Sequence, residues 1–375
     1  MSTTICLVAS TLNYPQGGGH LWVYLNWALG LKANGCRIVW LERLGQRTAV
    51  EKAAAFVEQL QARLARYGLG DALAVLSASE AHRHLPRVVG DVTPVASADL
   101  LLNFQYDLPA DVIARFRRSA LLDIDPGLLQ IWMSQGQIRP AAHDLYFTTG
   151  ETIGEAGSPI PTCDMRWYHV PPCVSLEHWP VHRAADEAAF TTVSHWYADE
   201  WLTFNGETFA NDKRSGFLPF LDLPRLTRQP LELALCLGAD DDAERAALGE
   251  RGWRVRNAQE VSATPWTYQQ YVQSSRGEFS CVKPSCVKLQ NAWISDRTLC
   301  YLASGKPAIV QHTGPSRFLP EQEGLLRFHD PAGAARALET AAEDYPRHCR
   351  LARELVERHF DARDVTARLL QIALN

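Results

Sequence analysis

Residues 14–35 read YPQGGGHLWVYLNWALGLKANG, three glycines and a histidine at the start of a nearly all-apolar helix. Gly17, Gly18 and Gly19 allow positive φ and let a ligand approach the free N–H groups of a helix start, where the dipole favours negative charge. His20 stands at that mouth, either as a cap or as a group able to take a proton near neutral pH. A second anion-binding start lies in NAWISDRTLCYLASGKPAIVQHTG, residues 291–314. Ser295 caps a helix whose first turn carries Asp296 and Arg297, Gly305 stops it, and KPAIVQ is the next strand. The N–H groups of that turn, with those of Thr313 and Gly314 after the strand, can hold a diphosphate between them. The plainer alternative is that Asp296 and Arg297 only complement the helix dipole and each other.

Two other phosphate motifs are excluded. A dinucleotide fingerprint built on Gly17 and Gly19 requires a small residue at position 22, where Trp22 stands, and no Gly-Lys-Ser/Thr follows to make a P-loop. The charge balance, Lys+Arg 37 against Asp+Glu 42, points to neither nucleic acid nor an acidic membrane. Nine scattered cysteines with no CxxC pair, and an opening on a short apolar strand rather than a signal peptide, read as a reduced, cytoplasmic protein. No apolar run reaches the ~18 residues of a membrane span, though peripheral membrane contact stays open. Most of the 11 tryptophans are expected to fill cores, with some free to serve as sugar platforms.

The elements that must position these residues alternate. TICLVAS (4–10), CRIVWLE (36–42), ALAVLS (72–77), ADLLLNF (98–104), ALLDIDP (120–126) and HDLYFTTG (143–150) read as strands, with helices over 19–34 and 48–68. MRWYHVPPCVSLEHWPVHRAADEA, with Pro171, Pro172 and Pro180, reads as an extended connection. A second series follows: AAFTTVSHW (188–196), LELALCLGA (231–239), GWRVRN (252–257), GEFSCVK (277–283), KPAIVQHT (306–313) and GLLRFH (324–329). Two doubly wound α/β domains are the expectation, with ligands beyond the carboxyl ends of their strands.

The LASGKP turn between helix and strand, with Thr313-Gly314 after it, resembles the donor-binding element of GT-B glycosyltransferases, where a helix ends in a small-small-Gly turn before a P-x-V strand. The stretch from Tyr14 to Leu41 is similar to the first βα unit of that fold, where a Gly-His pair follows strand one. The resemblance implies two Rossmann-like domains facing a cleft: residues 1–178 for the acceptor, 179–355 for a nucleotide-sugar, and a helix over 356–375 packing back on the first domain. It implies transfer from a donor such as a UDP- or dTDP-sugar to a hydroxyl or amine, with no cofactor and no metal. Epimerases share the fold, so a nucleotide-sugar epimerase and a non-catalytic nucleotide- or carbohydrate-binding protein are the alternatives.

Retaining members of the fold place two glutamates with seven residues between them across this helix start, and the matching positions hold Ala292 and Cys300. Inverting members can use a histidine after strand one as base, the position of His20, so inversion is implied. Asp123 and Asp125 in DIDPG either orient His20, act as base, or form only a strand-end turn. With no metal, the charge growing on a departing diphosphate falls to Lys213, Arg214, Lys283, Arg297 and the backbone near Thr313 and Gly314. Asp296 is left to accept from donor hydroxyls. GADDDAER reads as a charged helix start rather than a metal pair.

Overall fold

The computed structural model describes residues 2–375. Its first sheet comprises β1 (Thr4–Val8), β2 (Arg37–Arg43), β3 (Leu73–Leu76), β4 (Val88–Val89), β5 (Leu100–Asn103), β6 (Ser119–Asp123), β7 (Leu145–Thr148) and β8 (Trp167–His169). These eight strands are parallel, in the order β4-β3-β2-β1-β5-β6-β7-β8. Every residue of β1, β5 and β6 is buried, because helices cover both faces of a parallel sheet.

The second sheet is built from β9 (Phe190–His195), β12 (Leu231–Cys236), β13 (Arg254–Asn257), β14 (Gly277–Ser280), β15 (Ala308–Gln311), β16 (Gln322–Glu323) and β17 (Leu325–Phe328). Its order is β13-β12-β9-β14-β15-β17-β16, parallel except for the short edge strand β16. Between β9 and β12 a hairpin, β10 (Trp201–Phe204) and β11 (Glu207–Ala210), turns at Asn205-Gly206 with both residues at positive φ. It leans on the first domain: Leu202 joins the apolar cluster of Leu128 and Ile131, and Gln135 Nε2 donates to the Thr203 carbonyl at 2.7 Å.

Helix α1 (Gly18–Ala33) is apolar on nearly every side because it is covered on nearly every side. One flank packs on the first sheet. Another meets the terminal helix α2 (Ala362–Leu374), where Asn34 Nδ2 donates to Thr366 Oγ1 at 2.9 Å. A third faces the second domain, where Trp22 packs on Trp179 with centroids 4.8 Å apart and donates through Nε1 to the Pro265 carbonyl at 2.9 Å. Trp22, Trp27, Trp40, Trp179 and Trp196 are fully buried, so these five indoles are core. The proline-rich connection departs from its reading at one end, since Trp167–His169 pairs with β7 as the eighth strand before Pro171 begins the crossing.

Candidate functional site

The carboxyl ends of both sheets meet at a cleft of about 580 Å³. The first domain contributes Tyr14 after β1, Gly17, Gly19 and His20 at the start of α1, and Asp125 after β6. The second contributes His195 at the end of β9, Tyr197, Lys213, Lys283 after β14, Tyr268, and Ser295, Asp296 and Arg297. Two helix N-termini therefore open on one space, α1 and α3 (Asp296–Ala303).

His20 is held by its Nε2, 2.8 Å from the Ser10 carbonyl. A carbonyl only accepts, so Nε2 carries the proton and Nδ1 presents its lone pair. The ring stands edge-on to Tyr14 and Tyr24, at 5.7 and 5.3 Å between centroids. The loop bearing Ser10 is fixed by Glu42, a buried carboxylate accepting from Thr11 N at 2.9 Å, Thr11 Oγ1 at 2.5 Å, Leu12 N at 3.1 Å and Trp40 Nε1 at 3.0 Å. Tyr14 crosses the cleft, its hydroxyl 3.1 Å from His195 Nε2. Burial, with the nearby His20 and Lys283, lowers the His195 pKa.

The three glycines are not needed for positive φ, which none of them adopts. They are needed for close approach. A Cβ on Gly17 would overlap the Tyr14 ring, one on Gly18 would overlap the Thr264 carbonyl of the second domain, and one on Gly19 would lie 2.9 Å from the Tyr268 ring. Gly18 is thus a contact between domains, while Gly17 and Gly19 line the cleft.

Asp125 is exposed in the cleft, within 3.4 Å of the Tyr106 hydroxyl. The surrounding protein raises its pKa, with Lys283 opposing. Asp123 does not reach the cleft. It is fully buried and accepts from Gln130 Nε2 at 2.8 Å, Thr148 Oγ1 at 2.9 Å and the Asp125 N–H at 3.0 Å, so it fixes the turn that presents Asp125. Burial pushes its pKa up to about 6.

Among the cations, Lys213 lines the cleft and donates to the Cys281 carbonyl at 2.9 Å; burial, then Arg297, lowers its pKa to about 8. Lys283 pairs with Glu200 at 2.7 Å, and Glu200 also accepts from Asn211. Arg297 is engaged beneath the cleft, donating to Glu278 Oε1 at 2.7 Å, Ser280 Oγ at 2.6 Å and the Val193 carbonyl at 3.1 Å. Glu278 is fully buried, so the guanidinium is first of all its counter-ion. Arg214 turns away, held by Glu244 at 2.6 Å, which also accepts from Trp196 Nε1 at 2.8 Å, and it does not line the cleft.

Ser295 accepts from the Arg297 N–H at 3.2 Å as the cap of α3. Asp296 makes no side-chain hydrogen bond among the described residues; burial raises its pKa, and Arg297 and His20 oppose the rise. Thr313 and Gly314 do not line the cleft. Thr313 Oγ1 donates to the Trp293 carbonyl at 2.7 Å, the Gly314 N–H donates to His312 Nδ1 at 3.1 Å, and the Gly314 carbonyl accepts from Arg327 at 2.8 Å. Gly314, at φ +130°, packs against Gln290, where a Cβ would lie 2.6 Å from its carbonyl oxygen. Tyr14, His195, Glu200 and Tyr268 were not singled out from the sequence. His195 alone carried a signal, a histidine at the carboxyl end of a strand. Among the described residues, no group of three or more His, Cys, Asp or Glu side chains is placed to hold a metal ion. Among the described residues, no helix is long and apolar enough to cross a membrane.

Two doubly wound sheets with facing carboxyl ends, crossed at the terminus by a helix returning to the first, define the GT-B fold of glycosyltransferases. The chain is similar over its whole length to sucrose-phosphate synthase from Thermosynechococcus elongatus, at 13% identity and TM-score 0.56, covering 99% of this chain and 98% of that one. It is similar to an alpha-glucosyltransferase solved with UDP and a DNA containing an HMU base, at 10% identity and TM-score 0.59, with all of both chains covered. It is also similar to Anabaena HepE solved with UDP and glucose, at 10% identity and TM-score 0.57, covering 99% of each. No family model and no curated protein sequence matches the chain.

Proposed function

We infer that this chain is a glycosyltransferase that moves a sugar from a nucleoside-diphosphate donor to an acceptor hydroxyl or amine. One observation carries the reading: His20 and Asp125 of one domain face Lys213, Lys283, Asp296 and the α3 N-terminus of the other across a single cleft. UDP, bound by two of the similar proteins, is the donor nucleotide to test first. In transfer to a hydroxyl, His20 Nδ1 takes the acceptor proton as its oxygen bonds the anomeric carbon. The bond from that carbon to the donor phosphate breaks, and its electron pair leaves with the diphosphate. Lys213, Lys283 and the N–H groups of the helix starts stabilise the charge that develops there. Asp296, without a protein partner, accepts from sugar hydroxyls. Direct attack inverts the anomeric configuration; support comes from Ala292 and Cys300, which offer no carboxylate where a retaining pair would stand. Cation side chains in place of a metal make the reaction metal-independent.

Calorimetric titration with UDP, repeated in EDTA, tests the donor site: equal affinity in both is expected, and a requirement for Mg²⁺ overturns the metal-free reading. Absence of UDP binding overturns the choice of nucleotide. Donor incubated alone tests the epimerase alternative, which predicts sugar interconversion without acceptor. The coupling of the product's anomeric proton in NMR reports its configuration.

A further inference from the structure

The second sheet runs outward from β9 through β12 and β13 on one side and through β14, β15 and β17 on the other, so its strand order reverses between β9 and β14. In an open α/β sheet a ligand binds in the crevice beyond the carboxyl ends of the two strands at that point. His195 is the last residue of β9 and is exposed in the cleft. Lys283 follows the end of β14, and Lys213 reaches the same strand end through the Cys281 carbonyl. An imidazole and two amines therefore meet at the crevice.

The amines alone fall short of the charge a diphosphate brings. Lys283 pairs with Glu200 at 2.7 Å and Arg297 with Glu278 at 2.7 Å. Among the described residues, Lys213 is the one lysine or arginine lining the cleft without a carboxylate partner, and Asp125 and Asp296 stand on the same walls. A nucleoside diphosphate carries more than one negative charge, so a further donor is needed beside it. His195 can supply it, because an imidazole gains a proton near neutral pH when an anion sits against it. Its Nε2 is already held, 3.1 Å from the hydroxyl of Tyr14, which reaches across from the loop after β1. A hydroxyl that donates to Nε2 leaves the ring proton on Nδ1; when the ring is doubly protonated the hydroxyl accepts instead, and the Nδ1–H remains. We propose that His195 is a phosphate ligand of the donor site, donating through Nδ1–H to the diphosphate, and that Tyr14 is the positioning residue that fixes its ring from the opposite domain. The assignment rests on the sugar-transfer reading above and adds to it a contact by which the first domain shapes the donor site.

Calorimetric titration with UDP and with inorganic pyrophosphate tests it. At pH 7.5, His195→Leu should weaken both by about tenfold or more, the loss expected for a hydrogen bond to a charged group. His195→Asn, whose amide N–H replaces the Nδ1–H, should stay within about threefold of the parent. The parent's advantage over both variants should widen as the pH falls to 5.5. Affinity due to the imidazolium is full below the His195 pKa of the free protein and is lost above that of the complex. Tyr14, His20, Asp125, Cys236, Lys213 and Lys283 share the cleft and are common to all three proteins, so the widening reports His195. Tyr14→Phe should weaken pyrophosphate about threefold in the parent and not at all in His195→Leu, since the hydroxyl acts through the imidazole. Affinities within about twofold of the parent in His195→Leu, an advantage that does not widen in acid, or an equal Tyr14→Phe loss in both backgrounds would overturn the assignment. If pyrophosphate binds with this dependence while UDP does not bind, the anion site stands and the nucleotide reading fails. If UDP binds and ignores His195, the nucleotide reading stands and this assignment alone fails; binding of neither overturns both.

Discussion

Removing the Arg297 guanidinium leaves Glu278, buried inside the second domain, without its ion-pair partner. The Glu278 side chain is 0% exposed and that of Arg297 13%, and the 2.7 Å pair is reinforced by the bonds to Ser280 and Val193. Deleting one partner of a buried pair costs about 3–5 kcal/mol, more than the pair itself contributes, because the remaining charge stays desolvated. Arg297→Met, which keeps an apolar stem, should lower the unfolding free energy by about that amount. Adding Glu278→Leu should recover at least about half of the loss, since both charges then leave together. Urea unfolding followed by tryptophan fluorescence measures both, with the m-value checking that the transition remains cooperative. A single variant within about 1 kcal/mol of the parent, or a double variant no more stable than the single, refutes the reading of this pair as a buried scaffold under the cleft.

Three further outcomes are expected. His20→Ala should lower kcat by ~10²–10⁴-fold with donor affinity nearly intact, as for a lost general base; a tenfold loss of UDP affinity in calorimetry would instead put His20 on the phosphate side. Because the Lys213 pKa is lowered to about 8, UDP affinity should be full below that pH and fall above it, until the complex, whose bound anion raises the pKa, also deprotonates; the fall should vanish in Lys213→Met. Stability of the free protein carries the opposite sign, rising with pH above about 8 towards the ordinary lysine value, since there the unfolded chain holds more protons. Gly18→Ala should destabilise by ~1–3 kcal/mol through its clash with the Thr264 carbonyl, although alanine is otherwise favoured over glycine in a helix; a raised melting temperature would remove that contact between domains.

Much of the architecture was legible because its signals are local. Twelve strand runs, the cap at Ser295 and the stop at Gly305 follow from hydropathy and turn chemistry within a few residues of each element, and the structure holds them. The hairpin over Trp201–Ala210 is equally local, with Asn205-Gly206 as its turn signature, and lies outside the twelve runs. Strand β8 is only three residues long and precedes two prolines, so its sequence resembles a connection.

The site divides along the same line. Residue type and position after a strand or at a helix start were enough to nominate His20, Asp125, Lys213, Lys283, Ser295, Asp296 and Arg297, which the fold gathers around one cleft. What sequence alone left open is where each side chain points, because that depends on partners far along the chain. Arg214 and Lys213 are neighbours, yet one meets Glu244 and the other Cys281. Asp123 and Asp125, two apart at the end of β6, separate into a buried acceptor and an open carboxylate because Thr148 comes from β7 and Gln130 from the helix over Leu128–Ser134. The glycines of the opening loop carry the same lesson: the sequence shows them at the helix start and suggests positive φ, but for Gly18 and Gly19 the need is close packing, and the Thr264 carbonyl and the Tyr268 ring that impose it arrive only when the second domain packs against the start of α1.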